Sequence, residues 1–248
     1  MGKKLKQQIR GKGKQPKYKA KSHKYKLKLS YRSYDEAEKE GFLRGQVINF
    51  VDDPARNAII ASVMLENGEV SNIIACEGMK LGQEVQLGSS ASLEMGNVMP
   101  LSSVPEGMYV YNVEKLPGDG GKFVRSAGTY ALVVMKDGSK VQLKLPSNKL
   151  ITVDGKARAQ LGVAAGGGIK ERPLLKAGVA YYKHRAKNRL WPKSRGVKMS
   201  AYDHPFGGKQ HHEGKPTTVN KNAVPGQKVG HIRAKHTGRK QRKSGGAK

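Results

Sequence analysis

Between residues 42 and 154, hydrophobic and polar positions alternate in short runs, which is the pattern of half-buried β-strands. The runs are rich in β-branched residues and are separated by turn signals such as Asn67-Gly68 and Asp137-Gly138. The pattern predicts strands over residues 45–51, 57–65, 69–77, 84–88, 108–115, 123–128, 130–136, 140–145 and 149–154. Because the first five leave no room for crossover helices, the sequence predicts an all-β fold.

The predicted strands form two sets that meet at Pro117. A small antiparallel barrel is the economical structure for the first set, because closure removes exposed strand edges. We therefore predict one β domain over residues 34–116 and a second, with a short helix, over residues 117–190.

Two segments carry helical patterns. YDEAEKEG (34–41) predicts a short acidic helix that ends at Gly41, and residues 174–187 predict a longer one. On the longer helix one stripe is mostly apolar and a second is basic. The two stripes consist of Leu175, Val179, Tyr182 and Ala186, and of Lys176, Lys183 and Lys187. Either one face docks while the other meets phosphate, or this is an ordinary amphipathic surface helix.

Both ends of the chain lack apolar periodicity. Residues 1–33 are rich in Lys, Gly and Gln, so we expect a basic arm that buries no core and is disordered when free. Residues 191–248 are dominated by Gly, Pro, Lys, His and Arg, which predicts a second, longer extended arm. Tyr18, Tyr25 and Tyr31 lie among the lysines of the first arm. They suit stacking on bases or riboses, or they pin the arm to the body.

The charge distribution points to a polyanionic partner. The chain has 47 Lys and Arg against 19 Asp and Glu, a formal net charge of +28. Residues 1–34 hold 13 basic and no acidic side chains, residues 161–248 hold 21 and 3, and residues 35–119 hold 5 and 14. Arms this basic repel themselves until a polyanion neutralises them, and nucleic acid adds the free energy of counterion release.

Several protein classes are disfavoured. The single Cys76 excludes internal disulfides, and no secretory signal or apolar run of about eighteen residues is present. Gly2 does not begin a myristoylation signal, because that signal needs Ser or Thr at position 6 and residue 6 here is lysine. We expect a soluble intracellular protein without a membrane partner.

The stretch MSAYDHPFGGKQHH (199–212) raises the question of an enzyme or metal site. Its histidines lack the spacing and the Cys-x-x-Cys partners of a zinc site, so no metal or other cofactor is expected. Asp203 directly precedes His204, so their side chains point apart in an extended chain and form no triad. A lone His204 acting as a general base stays open. Pro205, Gly207 and Gly208 favour a shaped strip of backbone that lies against a surface.

The glycine triplet at 166–168 lacks the spacing of a phosphate-binding loop, so its better use is close backbone approach. Two arginines also stand out. Arg56, in DDPARNA, either contacts RNA or pairs with Asp52 or Asp53. Arg125 follows the glycine-rich stretch PGDGGK (117–122), and its planar guanidinium suits phosphate contacts.

Four strings carry a family resemblance. They are DDPARNAIIA, PEGMYVYNVEKLPGDGGKFVRSAGTYALVV, GVAAGGGIKERPLLKAGVAYYKHRAKNRLWPKSRGVKMS and DHPFGG, in this order. The chain resembles the universal ribosomal protein L2 family of the large subunit, in its archaeal or eukaryotic form, from about residue 40 to about residue 235. It departs from the family at Met199-Ser200-Ala201, where the usual string is Met-Asn-Pro, and in the glycine-rich stretch after the histidine motif, which is shortened to Gly207-Gly208-Lys209.

The resemblance implies an OB-like barrel followed by an SH3-like barrel, with extended basic N- and C-terminal arms. It implies binding to large-subunit rRNA beside neighbouring ribosomal proteins in the cytoplasmic ribosome, in support of assembly, subunit association and the peptidyl transferase region. The family's RNA-contacting arginines match Arg56 and Arg125, and its proposed catalytic histidine matches His204. We expect a structural protein with no small-molecule substrate. There are two competing hypotheses: His204 takes part in catalysing peptide-bond formation, or the chain is a free RNA chaperone. The residues expected to contact rRNA are Arg56, Lys122, Arg125, Gly167, Lys176, Lys183, Lys187, Trp191, Arg195, His204, Gly207 and Gly208.

Overall fold

The computed structural model of the protein describes residues 5, 19, 21–54, 56–169, 171–208, 218–224 and 226–232. The chain divides into two compact units. Residues 21–176 form the strand body, and residues 1–20 together with 177–248 form the terminal unit.

The strand body is built on one ten-stranded sheet within the described residues. Its strands are β1 (Phe42–Val51), β2 (Ile60–Leu65), β3 (Val70–Ile74), β4 (Glu84–Gly88), β5 (Val98–Pro100), β6 (Tyr109–Tyr111), β7 (Ala131–Asp137), β8 (Lys140–Lys144), β9 (Leu150–Asp154) and β10 (Arg158–Leu161). Their order is β3-β2-β1-β4-β5-β10-β6-β7-β8-β9. The pairs are antiparallel except β4 with β5, where Leu87 lies parallel to Val98. The dominance of strands confirms the all-β class.

Alternation along the strands decides which side chains form the core. In β8, Val141 and Leu143 are buried between exposed Lys140 and Lys144, as a period of two requires. Two clusters fill the space under the first and second strand sets, and a third joins them. Each fully buried Val or Leu stabilises the fold by about 1.5–3 kcal/mol.

Two features of the sheet differ from the sequence prediction. The strand predicted over 123–128 is wrong, because only Phe123 bridges to Val113, and Val124 and Gly128 take φ values of 53° and 63° that break an extended chain. The short β5 was not predicted, and β10 places Gln160 opposite both Val98 and Tyr111. β10 therefore joins the two strand sets. Closure into barrels stays a prediction, as do the domain limits 1–33, 34–116, 117–190 and 191–248.

The helical predictions are confirmed in position. α1 (Glu36–Glu40) ends where the Gly41 amide donates to the Ala37 carbonyl at 3.1 Å. α2 (Ala177–Ala186) lies in the terminal unit, and its one buried residue is Ala180. The predicted docking stripe is not covered within the described residues, since Leu175, Val179 and Tyr182 are 88%, 50% and 67% exposed. The terminal unit also contains a parallel pair of two-residue strands, β11 (Thr218–Val219) and β12 (His231–Ile232).

The expectation that residues 1–33 bury no core is wrong for their last part. Leu29 and Tyr31 are buried, and Leu29 belongs to the cluster that joins the two strand sets. The Tyr31 hydroxyl donates to the Asn112 carbonyl at 2.7 Å. Tyr31 therefore pins this segment, whereas Tyr25 is 44% exposed and Tyr18 lies outside the described residues.

A buried ionic cluster holds the same segment in place. The Arg158 guanidinium, 1% exposed, pairs with Glu38 at 2.8 Å and with Glu114 at 2.9 Å, and both carboxylates are fully buried. Arg158 also donates to the Arg32 carbonyl at 3.1 Å, and the Arg32 side chain pairs with Glu38 at 3.0 Å. Burial alone would lower the pKa of Arg158, and its bonds to Glu114 and Glu38 raise it instead. The cluster thus ties α1, β10 and residue 32 together.

Candidate nucleic-acid interface

Arg56 follows β1 and is fixed by its neighbour Asp53. Its Nε donates to the Asp53 carboxylate at 2.9 Å, and its amide donates to the Asp53 carbonyl at 3.0 Å. Asp53 is fully buried, while the Arg56 side chain is 25% exposed. The pairing anticipated as one alternative therefore exists with Asp53, and it orients a guanidinium that still reaches the surface.

Arg125 is oriented by main-chain carbonyls. Its two terminal nitrogens donate to the carbonyls of Gly121 and Leu29, each at 2.9 Å. The left-handed Val124 turns the chain at this point, since its φ is 53°. Burial, followed by the nearby Arg56 cation, lowers the pKa of Arg125. Arg56 and Arg125 are far apart in sequence and lie within electrostatic reach of each other in the fold.

Arg56 and Arg125 together carry two positive charges, and only one carboxylate among the described residues is bound to them. Asp53 offsets one charge, and Arg125 takes carbonyl rather than carboxylate partners. Planar guanidinium groups with fixed orientation match the geometry of phosphate oxygens. Lys122, which follows Gly121, has an exposed side chain and adds a third cation to this stretch.

The glycine triplet at 166–168 allows a close backbone contact within the strand body. Gly167 starts a 3-10 turn (Gly167–Ile169), and a Cβ at residue 167 would lie 3.2 Å from the Gly128 Cα. A Cβ on Gly128 would overlap the Gly167 Cα. The close approach expected at Gly167 therefore serves two crossing backbones of this chain. Gly168, in contrast, faces open space and is exposed.

Cations crowd at the C-terminal end of α2. Lys183 is exposed and Lys187 is half-buried, whereas Lys176, which is also exposed, lies just before the N-terminal end of the helix. Burial, then the cations of Arg189 and Lys183, lower the pKa of Lys187. The sequence reasoning missed Arg189, whose amide donates to the His184 carbonyl at 2.8 Å and so folds it back on the helix.

An aromatic stack follows the same helix. The His184 and Trp191 rings are nearly parallel, 12° apart, with centroids 5.8 Å from each other. Both side chains are partly exposed, and Arg195 further along is exposed. The structure thus places Trp191 beside a helix-borne histidine that the sequence reasoning did not single out. Because α2 ends at Ala186, no helical spacing in the sequence indicated this stack.

The histidine loop forms a compact turn. The His204 amide donates to the Ser200 carbonyl at 3.1 Å, and the Gly207 amide donates to the His204 carbonyl at 2.9 Å. Gly207 is buried, and a Cβ there would overlap the Ser200 carbonyl oxygen. Gly208 is exposed with a φ of 120°. Gly207 is therefore needed for the turn itself, and Gly208 is the glycine at the surface. His211, His212 and His236 lie outside the described residues.

The described residues also bear on metal binding and on membrane spanning. Among the residues that the structure describes, no group of three His, Cys, Asp or Glu side chains is arranged to hold a metal ion. No helix in the described ranges is both long and apolar enough to span a bilayer. Cys76 is buried, and this burial raises the pKa of its thiol.

Comparison with known proteins supplies the family. Residues 2–87 match the family described as Ribosomal Proteins L2, RNA binding N-terminal domain, and residues 94–228 match Ribosomal Proteins L2, C-terminal domain. The chain is 49% identical over 241 residues to the large ribosomal subunit protein uL2 of Methanococcus aeolicus, covering 97% of this chain and 100% of that protein. It is 50% identical to the protein of the same name from Methanococcus vannielii, with the same coverage. The corresponding protein of Methanopyrus kandleri is 48% identical, covering 96% of this chain and 98% of that protein. The chain therefore belongs to the ribosomal protein L2 family.

Proposed function

We propose that this chain binds large-subunit rRNA through the Arg56–Arg125 pair and the cations of the terminal unit. Its family makes it a cytoplasmic ribosomal protein and a structural constituent of the large subunit. On the same basis we propose that it supports assembly, subunit association and the peptidyl transferase region beside neighbouring ribosomal proteins. We also propose that the first strand set closes into an OB-like barrel and the second into an SH3-like barrel.

The observation that carries the proposal is the fixed orientation of two neighbouring guanidinium groups. Arg56 is held by Asp53, and Arg125 is held by the carbonyls of Leu29 and Gly121. Little side-chain entropy remains to be lost when a phosphate binds there. Shape and phosphate contacts of this kind dominate recognition of folded RNA.

The terminal unit is proposed to supply most of the phosphate contacts. Residues 177–248 contain 18 Lys and Arg and only 2 Asp and Glu. If about ten phosphates are contacted, log Kd should change with log salt with a slope magnitude of roughly 7–9. The other proposed contacts are Lys122, Gly167, Lys176, Lys183, Lys187, Trp191, Arg195, His204 and Gly208, and the buried Gly207 is proposed to act through the turn that it shapes.

The test compares two charge-neutral variants in binding to an rRNA fragment across a salt series. Arg56→Gln keeps an N–H donor for Asp53 but removes the cation, and Lys144→Gln removes an exposed cation on β8 outside the proposed interface. We expect Arg56→Gln to flatten the slope by about 0.7–0.9 for each phosphate lost, and Lys144→Gln to match the wild type. Equal slopes for all three proteins would refute the role of the pair.

Sedimentation addresses the alternative of a free RNA chaperone. A constituent of the large subunit stays with the particle through a gradient at physiological salt. A chain found mainly in the soluble fraction, with particles of normal size lacking it, would refute the structural role.

A further inference from the structure

The His204 ring lies at the centre of the turn formed by residues 196–208. The Phe206 amide donates to Nδ1 of His204 at 3.0 Å, and the two rings have centroids 5.1 Å apart. The turn is closed further by the Gly208 amide, which donates to the Met199 carbonyl at 3.2 Å. The imidazole is therefore part of the hydrogen bonding that shapes this loop.

Gly196 creates the space that the ring occupies. A Cβ at residue 196 would lie 2.7 Å from Nε2 of His204 and closer still to Nδ1 and Cε1. Real Cβ atoms do not approach a ring this closely, so any other residue at 196 displaces the imidazole. Because the ring lies against the 3-10 turn Gly196–Lys198, this glycine positions His204.

The hydrogen bond at Nδ1 also fixes the tautomer. A neutral imidazole has one protonated nitrogen and one acceptor nitrogen, and here the acceptor is Nδ1. The ring hydrogen therefore resides on Nε2. In this state Nε2 has no lone pair for a proton, and the lone pair of Nδ1 is already used by Phe206.

We propose that His204 is a hydrogen-bond donor, held in the Nε2–H tautomer by Gly196 and the Phe206 amide, and that it recognises an RNA oxygen rather than acting as a base. This inference rests on the proposed rRNA binding and assigns a positioning role to Gly196. Burial lowers the pKa of His204, which agrees with a neutral ring.

The direct test is NMR of the full chain with ¹⁵N-labelled histidine rings, in which the His204 signals are identified by their loss in His204→Asn. We expect a protonated Nε2 and an unprotonated Nδ1 in the wild type. In Gly196→Ala we expect averaged ring signals, because the ring leaves its place. Gly178→Ala is the matched control, since a Cβ there meets open space. A protonated Nδ1 or averaged signals in the wild type would overturn the proposal.

Two isosteric variants separate donor from base in reconstituted large subunits. The Asn carbonyl can replace Nδ1 as the acceptor for Phe206 but lacks the outer donor, so rRNA affinity of His204→Asn should fall about 3–10-fold. The Gln amide can replace the outer donor but not the inner acceptor, so His204→Gln should lose the loop signals of Phe206. Wild-type affinity of His204→Asn would overturn the donor role.

Peptidyl transfer by particles of normal composition gives the last readout. If His204 acts as a general base, His204→Asn particles should lose about 10²–10⁴-fold in the rate of peptidyl transfer, far more than the loss of one hydrogen-bond donor predicts. Such a loss would overturn the inference. The tautomer measurement needs no RNA, so failure of the salt series above would leave it standing and would refute only the proposed function.

Discussion

The strand body holds 21 lysines and arginines with 17 aspartates and glutamates, whereas the terminal unit holds 26 and 2. In the body, Arg158, Arg32 and Arg56 are paired with carboxylates. Two of these carboxylates, Glu38 and Glu114, belong to the buried ionic cluster. These three cations are part of the folded structure. The net charge of +28 therefore comes mainly from the terminal unit, whereas the body nearly balances its cations with carboxylates.

Burial separates the two units as clearly as charge does. Among the described residues of the terminal unit, the buried apolar side chains are Leu5, Ala180 and Val229, whereas the body contains three apolar clusters. Val179 and Tyr182, on α2, stay exposed. A unit with so little buried surface gains little free energy from its own packing, so a partner can supply the rest.

The largest effect should come from two truncations that straddle the boundary between the units. Removing residues 1–20 deletes cations of the terminal unit, and removing residues 1–33 also deletes Leu29 and Tyr31 from the core. We expect the longer truncation to lower the free energy of unfolding by about 3–6 kcal/mol, since each of the two buried side chains contributes about 1.5–3 kcal/mol. Urea unfolding should show little change for the shorter one. Equal stabilities would contradict the assignment of residues 21–33 to the body.

The sequence predicted the strands whose alternation is long, such as β1 and β8, because a period of two over five or more residues is a local property. It could not predict β5, which has three residues and is defined by its register with β10. The wrong strand at 123–128 has a good local pattern, but Val124 takes a left-handed φ of 53° that this pattern does not reveal.

The candidate site was predictable only in part for the same reason. Arg56 and Arg125 were found individually, and their proximity depends on how the two strand sets meet. The buried cluster joins Glu38 to Arg158 across 120 positions, a separation at which no local pattern operates. The hydrogen bond from the Phe206 amide to His204 spans two residues but depends on the space left by Gly196.

The second largest effect is expected when the buried cluster loses its cation. Arg158→Met leaves Glu38 and Glu114 buried without their central partner, so unfolding should become easier by about 3–5 kcal/mol. Arg195→Met in the terminal unit is the matched control, because Arg195 is exposed. It should leave urea unfolding unchanged and weaken rRNA binding. A stable Arg158→Met chain would show that the cluster is not needed to hold the body.

A smaller effect should follow from crowding the crossing of Gly128 and Gly167. Gly128→Ala places a Cβ against the Gly167 Cα at a residue with a φ of 63°, so we expect a loss of about 1–3 kcal/mol in unfolding free energy. Gly138→Ala shares the positive φ but meets open space, and Gly168→Ala has neither constraint. The losses should decrease in that order. If Gly138→Ala costs as much as Gly128→Ala, backbone strain rather than close approach explains both glycines.

The smallest effect concerns pH and the loop around His204. Burial lowers the pKa of His204 below its ordinary 6.5, so the open loop takes up a proton more readily than the closed one. The closed loop is therefore favoured above about pH 6.5 and loses stability as the pH falls below that value. Asp203, Lys209 and Lys198 are the charged residues nearest to His204 in the sequence.

The Phe206 amide signal in NMR reports this transition, because its hydrogen bond ends at the nitrogen that becomes protonated. We expect the signal to shift on acidification from about pH 7.5 to about pH 5 in the wild type and to stay constant in His204→Asn, whose carbonyl does not titrate. The body signals should not follow the same curve, because the ionic cluster at Arg158 lies in the other unit. A shift shared by the body and the loop would mean that the two units titrate together, and the contrast drawn between them would then fail.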